Sequence, residues 1–401
     1  MSELIPVNEA EQRIRASLPP FGTEQVSIDQ AAGRVLRQAV CAERDQPPFD
    51  RVMMDGVAIA LGDGSRRVFT VRGRQLAGMR GQSLDDPSGC IEVTTGAVLP
   101  AGCDCVVPIE QCRRDGERVE LVAAWQPQPR QFIHPQGSDC REGDELLAPG
   151  MRLRAPELAV LAANGMDRVE VARVPAVAIV ATGDELAEVD QRPLAEGQIR
   201  RSNDRALAAA LRGRGFDDVL LTRVPDDLAA TTQVLSGLLA SHQVLVLSGG
   251  VSVGQRDFVP EALRSLGVEQ VLHRIAQRPG KPMWFGIGPQ QQMVFALPGN
   301  PVSALVCALR YLLPALEQAI GLPVGDAGKA VLASPAAGSP MLTCFIPVRV
   351  HHDDSGRVLA TPVPVPTSGD FSGLPHTDGV VELPPSGTPA AAGTLVSLYR
   401  W

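Results

Sequence analysis

Two stretches decide the fold: QVLVLSGGVSVG at residues 243–254 and QMVFALPGNPVSALVCALRYLL at residues 292–313. Each opens with a strand-length apolar run and breaks at once into glycine or proline. In the second, Asn300 is a good helix cap and Pro301 suits the first helical turn, so PVSALVCALRYLL predicts a helix. The same alternation extends upstream. VPAVAIVA (174–181) and FDDVLLT (216–222) predict strands; NDRALAAALRGRG (203–215), DDLAATTQVLSGLLAS (226–241) and VPEALRSLG (259–267) predict helices. Strands and helices in turn predict an α/β domain, its sheet largely parallel and covered by helices on both faces.

The flanks differ in character. Val7, Ala10, Ile14 and Leu18 recur at helical spacing, and Ser27 before IDQAAGRVL predicts a short capped helix ending near Gly33, so the opening reads as helical. Between about 52 and 122, RRVFTVRG, GCIEVTT, DCVVPIEQ and ERVELVA alternate with Gly, Pro and Asp turns and predict a β-rich module. APELAVLAANG (155–165) predicts a helix closed by Gly165. Beyond Gly321, TCFIPVRV, RVLATPVPV, DGVVELP and GTLVSLYRW predict a C-terminal β domain.

With 401 residues the chain is expected to form several domains. A net charge of -8 and the lack of a basic run argue against nucleic-acid binding, although a local cluster can still hold an anion. MSELIPVNEAEQRIR is polar at once and is not read as a signal peptide, and no apolar run approaches membrane-spanning length. A cytoplasmic protein without membrane contact is expected. The eight cysteines lack Cys-x-x-Cys or His spacing, so they read as reduced thiols rather than zinc ligands.

Parallel strands put their carboxyl ends on one edge of a sheet, where ligands bind. TGDEL after 176–181, SGGVSVG after 243–247 and PGNPVS after 293–297 should therefore converge. SGGVSVG reads as a backbone cradle for an anion or as an ordinary tight turn. The N–H groups of Val302 and Ser303 behind Asn300 either face an anion or merely start a helix. RPGKP (278–282) sets Arg278 and Lys281 on one turn, suited to an oxyanion or simply solvated. Among the acids, Asp184, Glu185 and Asp257 suggest Mg²⁺ bridging to phosphate oxygens, whereas Asp226 and Asp227 also suit a helix start.

SGGVSVG with Asp257, PGKP, LPGNPVSA, TGDEL and GQIRRSN together resemble the third domain of MoeA proteins and the gephyrin E domain. PPFDRVMMDGVA and TTGAVLPAGCDCVVPIE resemble the family's second domain, and the likeness spans roughly residues 5–400. It implies four modules: a discontinuous helical module at 1–42 and 142–172, a β-rich module at 43–141, a molybdopterin-binding α/β module at 173–320 and a C-terminal β module at 321–401. It also implies a homodimer whose clefts take the second module from the partner copy. The implied activity inserts molybdate into adenylylated molybdopterin with release of AMP, assisted by Mg²⁺, downstream of a molybdopterin adenylyltransferase.

By matched motif, Asp55, Thr95, Glu185 and Asp257 would be catalytic, and Asp184, Glu185, Asp226 and Asp257 would ligate metal. Ser248, Gly249 and Gly250 would cradle the pterin-phosphate region. Arg278, Lys281, Pro298, Pro301 and Ser303 would line the molybdate end, with Gly254, Gly299, Asn300 and Ser372 as further cofactor-binding residues. The chain departs from the family pattern at Val57, where tyrosine is common, and in HPQGSD, which keeps Asp139 but has lost the arginines expected before it. It also carries Arg278 for lysine, and Cys344 in a strand that holds no arginine before Arg349. Two other readings fit the same motifs: a molybdopterin adenylyltransferase, and a non-catalytic pterin-binding scaffold.

Overall fold

The computed structural model describes residues 4–251, 258–323, 325, 327–365 and 367–401. Its contacts divide the chain into two compact units. One comprises 1–37, 149–154 and 168–401, and the other 38–148 and 155–167.

In the larger unit, a six-stranded sheet runs in the order Val219–Val224, Val177–Thr182, Val244–Ser248, Met293–Leu297, Trp284–Ile287, Glu269–His273. The first four strands are parallel, as the alternation predicts. Side chains alternate across the pleat. Val177, Ile179, Val246 and Phe295 join a core with the helix Asn203–Arg212 and with the helical run that begins at Pro301. Ala178, Val180, Leu245 and Ala296 pack on the opposite side, against the helices Leu228–Ser241 and Val259–Ser265. The last two strands are antiparallel and were not anticipated. Glu269–His273 is a polar edge strand, and Trp284–Ile287 is short and interrupted by Gly286, so neither carries a strong periodic signal.

The sequence also understated the core helix. Pro301–Cys307 continues through a π-helical stretch, Ala308–Leu312, into Leu313–Ala319. This 19-residue run is long and apolar enough to cross a membrane, which corrects the expectation that no stretch approaches that length. However, 72% of its apolar window is buried inside the fold, as in the central helix of a globular domain.

The π-helical stretch places Arg310 in the interior, where its side chain is 7% exposed and donates to Glu11 at 2.6 Å and Glu382 at 3.1 Å. Tyr399 also donates to Glu382, at 2.8 Å. Arg310 thereby ties the core helix to the N-terminal helix Val7–Ala16 and to the C-terminal sheet. Val7, Ala10 and Ile14 are the buried face of that N-terminal helix, as their spacing predicts.

The opening is less helical than expected. Thr23–Ser27 is a strand paired with Arg168–Ala172, and Ile28–Gln30 is a single 3-10 turn. Ser27 donates to the Gln30 side chain at 3.3 Å instead of capping. Near the C-terminus, Gly328–Leu332, Thr343–His352, Val358–Pro362, Gly379–Leu383 and Leu395–Arg400 close into a ring, because Gly379–Leu383 pairs with both Thr343–His352 and Leu395–Arg400. Gln277–Arg278 adds to Thr343–His352 in parallel.

The smaller unit holds a six-stranded sheet in the order Cys105–Pro108, Gly56–Ile59, Gly89–Val93, Val68–Gln75, Arg118–Leu121, Cys112–Asp115. Four of these match the predicted runs. Its helix Ala155–Ala163 ends as expected at Gly165, whose N–H reaches Ala162 O at 3.1 Å, while Met166 N–H reaches Leu161 O at 3.0 Å.

Candidate functional site

The carboxyl edge of the parallel strands brings the glycine and asparagine loops together. Gly249 N–H donates to Leu297 O at 3.1 Å, so the loops after Val244–Ser248 and Met293–Leu297 run side by side. Gly249 adopts φ +100°, and a β-carbon there would lie 2.6 Å from Thr182 Oγ1 and 2.8 Å from Thr182 O. Only glycine lets the backbone pass so close to the neighbouring strand. Gly299 packs against Gly249 in turn: a β-carbon on it would lie 3.6 Å from Gly249 Cα.

One side chain that sequence reasoning did not single out joins these loops. Asn203 Nδ2 donates to Ser248 Oγ at 2.9 Å and to Gly299 O at 2.7 Å. Its Oδ1 is buried and has no hydrogen-bond partner among the described residues. Asn203 lies in the quoted GQIRRSN motif but begins a helix, where asparagine is common for local reasons, and that masks any further role. Asn203→Ala removes a two-point tie, each bond worth about 1 kcal/mol. We expect binding of the pterin that the resemblance implies to weaken about tenfold and the thermal midpoint to fall by roughly a few degrees, read by titration calorimetry and calorimetric melting.

Asn300 starts the core helix without a side-chain cap bond. Its Nδ2 donates to Ser368 Oγ at 2.7 Å, and Val302 N–H donates to Ser368 O at 3.2 Å. The Val302 N–H, proposed from sequence to face an anion, is therefore engaged within the protein. Ser303, at 4% exposure, and Pro298 are buried, while Pro301 is half-buried. The serine that meets the asparagine loop is Ser368. Ser372 instead donates to Asp370 from its hydroxyl at 2.5 Å and its N–H at 3.0 Å.

Asp184 and Asp226 meet at the next pair of strand ends. Asp226 N–H donates to Asp184 Oδ1 at 3.1 Å, and Asp184 N–H donates to Asp226 Oδ2 at 3.4 Å. Glu185 is exposed and folds over its own loop, its Oε2 2.5 Å from where a β-carbon of Gly183 would be. Asp227 caps Leu228–Ser241 by accepting from Ala230 N–H at 2.7 Å, the local role its position suggested. Among the described residues, no three His, Cys, Asp or Glu side chains are arranged to hold a metal ion. Gly254 and Asp257 lie outside the described residues.

Arg278 and Lys281 are both exposed, on the turn that leaves Gln277–Arg278. Strand pairing sets Arg278 beside Cys344. Burial pushes the Cys344 thiol up, against the pull of the Arg278 charge. The residue at the family's departure point is thus a neutral thiol beside a retained cation.

Asp55 and Thr95 meet within the smaller unit. The Asp55 carboxylate accepts from Thr95 N–H at 2.7 Å and from Thr95 Oγ1 at 3.0 Å. First the backbone bond and then the hydroxyl hold Asp55 below the usual carboxylate range, and so ionised at neutral pH. Because the backbone N–H contributes more, Thr95→Val should raise the Asp55 pKa only part of the way to its ordinary value. Carboxylate NMR titration checks this, and full restoration would reverse the ranking.

Val57 fills an apolar cluster with Phe69, Val107 and Val119. Asp139 has regained basic neighbours through the fold. His134 Nε2 lies 2.7 Å from Asp139 Oδ1, and His134 Nδ1 lies 2.9 Å from an Arg51 nitrogen. All eight cysteines are free. Burial raises Cys90 and Cys103 to about 12 and Cys105 and Cys112 to about 11, and pushes Cys307 up as well.

Three family descriptions match in succession: "MoeA N-terminal region (domain I and II)" over residues 5–165, "Probable molybdopterin binding domain" over 178–318 and "MoeA C-terminal region (domain IV)" over 329–401. A molybdopterin molybdenumtransferase of Synechocystis is 39% identical over 99% of the chain and 100% of its own length. One from Bacillus subtilis is 30% identical over 95% of the chain and 90% of its own length. A crystal structure of a molybdopterin biosynthesis MoeA protein from Pyrococcus superposes with a TM-score of 0.83 at 28% identity, covering 99% of each chain.

Proposed function

The chain belongs to the MoeA family of molybdopterin molybdenumtransferases, and on that premise we propose how its residues carry out insertion of molybdate into adenylylated molybdopterin with release of AMP. The observation that carries this reading is the joining of the Ser248–Gly250 and Pro298–Asn300 loops through Asn203, which makes a backbone-lined edge suited to the pterin and its phosphate. Ser248, Gly249, Gly250 and Asn300 hold that end. Arg278 and Lys281 hold the molybdate dianion. Asp55, ionised and oriented by Thr95, and Glu185 are the acids that act on the reacting groups. Asp257 keeps its assigned place with them by motif.

Mg²⁺ requires few protein ligands, because it retains waters and binds substrate phosphates. Asp184 and Asp226, joined at adjacent strand ends, are the pair that would hold it, with Glu185 beside them. Once bound it would neutralise charge on the phosphoanhydride. The four-module division, the homodimer and the donation of Asp55 and Thr95 to the partner copy's cleft are carried by family likeness, as is supply of substrate by an adenylyltransferase. Eight unpaired thiols support a reducing, cytoplasmic setting.

The decisive assay incubates the protein with adenylylated molybdopterin and follows AMP. Release that requires molybdate supports insertion. AMP transfer from ATP to molybdopterin would indicate an adenylyltransferase instead, and binding without either reaction a scaffold. Sedimentation checks the dimer.

A further inference from the structure

Beneath the Arg278–Lys281 turn lies a buried polar group that no motif marks. Gln277 is fully buried, and its carboxamide is saturated from three sides. Nε2 donates to Pro279 O at 3.0 Å and to Cys307 Sγ at 3.6 Å, and Oε1 accepts from Tyr311 OH at 2.5 Å. Cys307 Sγ donates in turn to Gly280 O at 3.6 Å. Two successive carbonyls of the turn are thus gripped from below by side chains, one from the strand and one from the core helix. Gly280 has φ +94°, and a β-carbon there would lie 2.5 Å from Gln277 Nε2 and 2.6 Å from Cys307 Sγ, so the backbone rests directly on this support. The top of the turn is tied as well: Ile275 N–H donates to Lys281 O at 2.9 Å, and Met283 N–H to Gly280 O at 3.3 Å.

Tyr311 lies in the π-helical stretch. Such stretches change which side chains face a given direction, and here Tyr311 OH meets Gln277. Burial keeps both the Tyr311 hydroxyl and the Cys307 thiol protonated, so both remain donors across the working pH range. A buried polar group that is fully bonded holds one geometry, and leaving it half-bonded is costly.

We propose that Gln277, Tyr311 and Cys307 are positioning residues that fix the Arg278–Lys281 turn in the geometry that captures the oxyanion. The inference rests on the assignment of Arg278 and Lys281 to molybdate. None of the three side chains need touch substrate; they act through the turn's carbonyls, and so on where the two cations stand. Their loss should therefore be felt at the molybdate end and not at the pterin end.

The test uses Tyr311→Phe, which removes one oxygen and leaves the aromatic volume, Gln277→Leu, and Cys307→Ser, which keeps a donor. Each is made in the full chain and assayed well below its melting point. Amide hydrogen exchange at Ile275 and Met283 reports the turn without reference to activity. Half-saturation by molybdate and by adenylylated molybdopterin is read from AMP release. In Tyr311→Phe and Gln277→Leu, exchange at these two amides should accelerate. The molybdate requirement should rise about tenfold, as for one lost buried hydrogen bond, while pterin half-saturation stays within twofold. Cys307→Ser should lie near the unsubstituted protein. Combining Tyr311→Phe with Lys281→Ala should give less than the product of the two separate effects, because part of the Tyr311→Phe loss runs through Lys281 and only the part through Arg278 remains. Unchanged exchange in folded Tyr311→Phe and Gln277→Leu overturns the proposal. So does faster exchange with equal losses at both substrates, or full additivity with Lys281→Ala. If the unsubstituted protein releases no AMP with molybdate, the functional reading fails, whereas the exchange result still decides whether these side chains hold the turn.

Discussion

Arg310→Ala is expected to destabilise the larger unit by about 3–5 kcal/mol, the range for removing one partner of a buried ion pair. The guanidinium is 7% exposed and serves two carboxylates, Glu11 and Glu382, from elements far apart in sequence. Removing it leaves two partly buried negative charges facing one another across the space it filled. Differential scanning calorimetry should show a large fall in the transition that includes the C-terminal ring and a smaller effect on the other unit, since a chain of several domains need not melt in one step. Arg310→Met combined with Glu11→Gln and Glu382→Gln should recover much of the loss, because it removes the uncompensated charges as well. If Arg310→Ala melts within a degree of the unsubstituted protein, this ion pair contributes nothing measurable.

Lys281→Ala is expected to have the largest effect on catalysis. Molybdate carries two negative charges and must be held beside two thiolates, so loss of one of two cations on the turn should raise the molybdate requirement by at least about tenfold, the scale of a charge-assisted bond. Pterin half-saturation should move much less, because that end is assigned to the glycine and asparagine loops. Initial rates of AMP release over a molybdate series, at fixed pterin and at two ionic strengths, measure both. The reverse pattern, weaker pterin binding with an unaltered molybdate requirement, would show that the two ends of the site are exchanged.

The residues that could be read in advance share a physical cause. Val244–Ser248 and Met293–Leu297 are buried on both faces, so their composition is uniformly apolar and they end abruptly in glycine or proline. Those endings are also where the proposed site lies, so fold and loops became legible together. What escaped had its meaning only across space. Asn203 looks like an ordinary helix-start residue until the chain brings Ser248 and Gly299 to it. Gln277 and Tyr311 are 34 positions apart in sequence, and their bond is made from a π-helical stretch whose facing no regular helical period predicts. The pairing of Arg51–Val52 with Ile133–His134 supplies Asp139 with basic neighbours that no local motif records. The bond from Asn300 to Ser368 likewise joins residues 68 positions apart and leaves no mark in the local sequence.

The masked thiols have a consequence for metal economy. An enzyme that delivers molybdenum to a dithiolene must not retain the ion on sulfur of its own. Thiolates, not thiols, are the competent ligands, and burial keeps Cys90, Cys103, Cys105, Cys112, Cys307 and Cys344 in the protonated form. The sulfur of these six side chains is thereby kept from competing with the two sulfurs of the pterin, Cys344 beside Arg278 included.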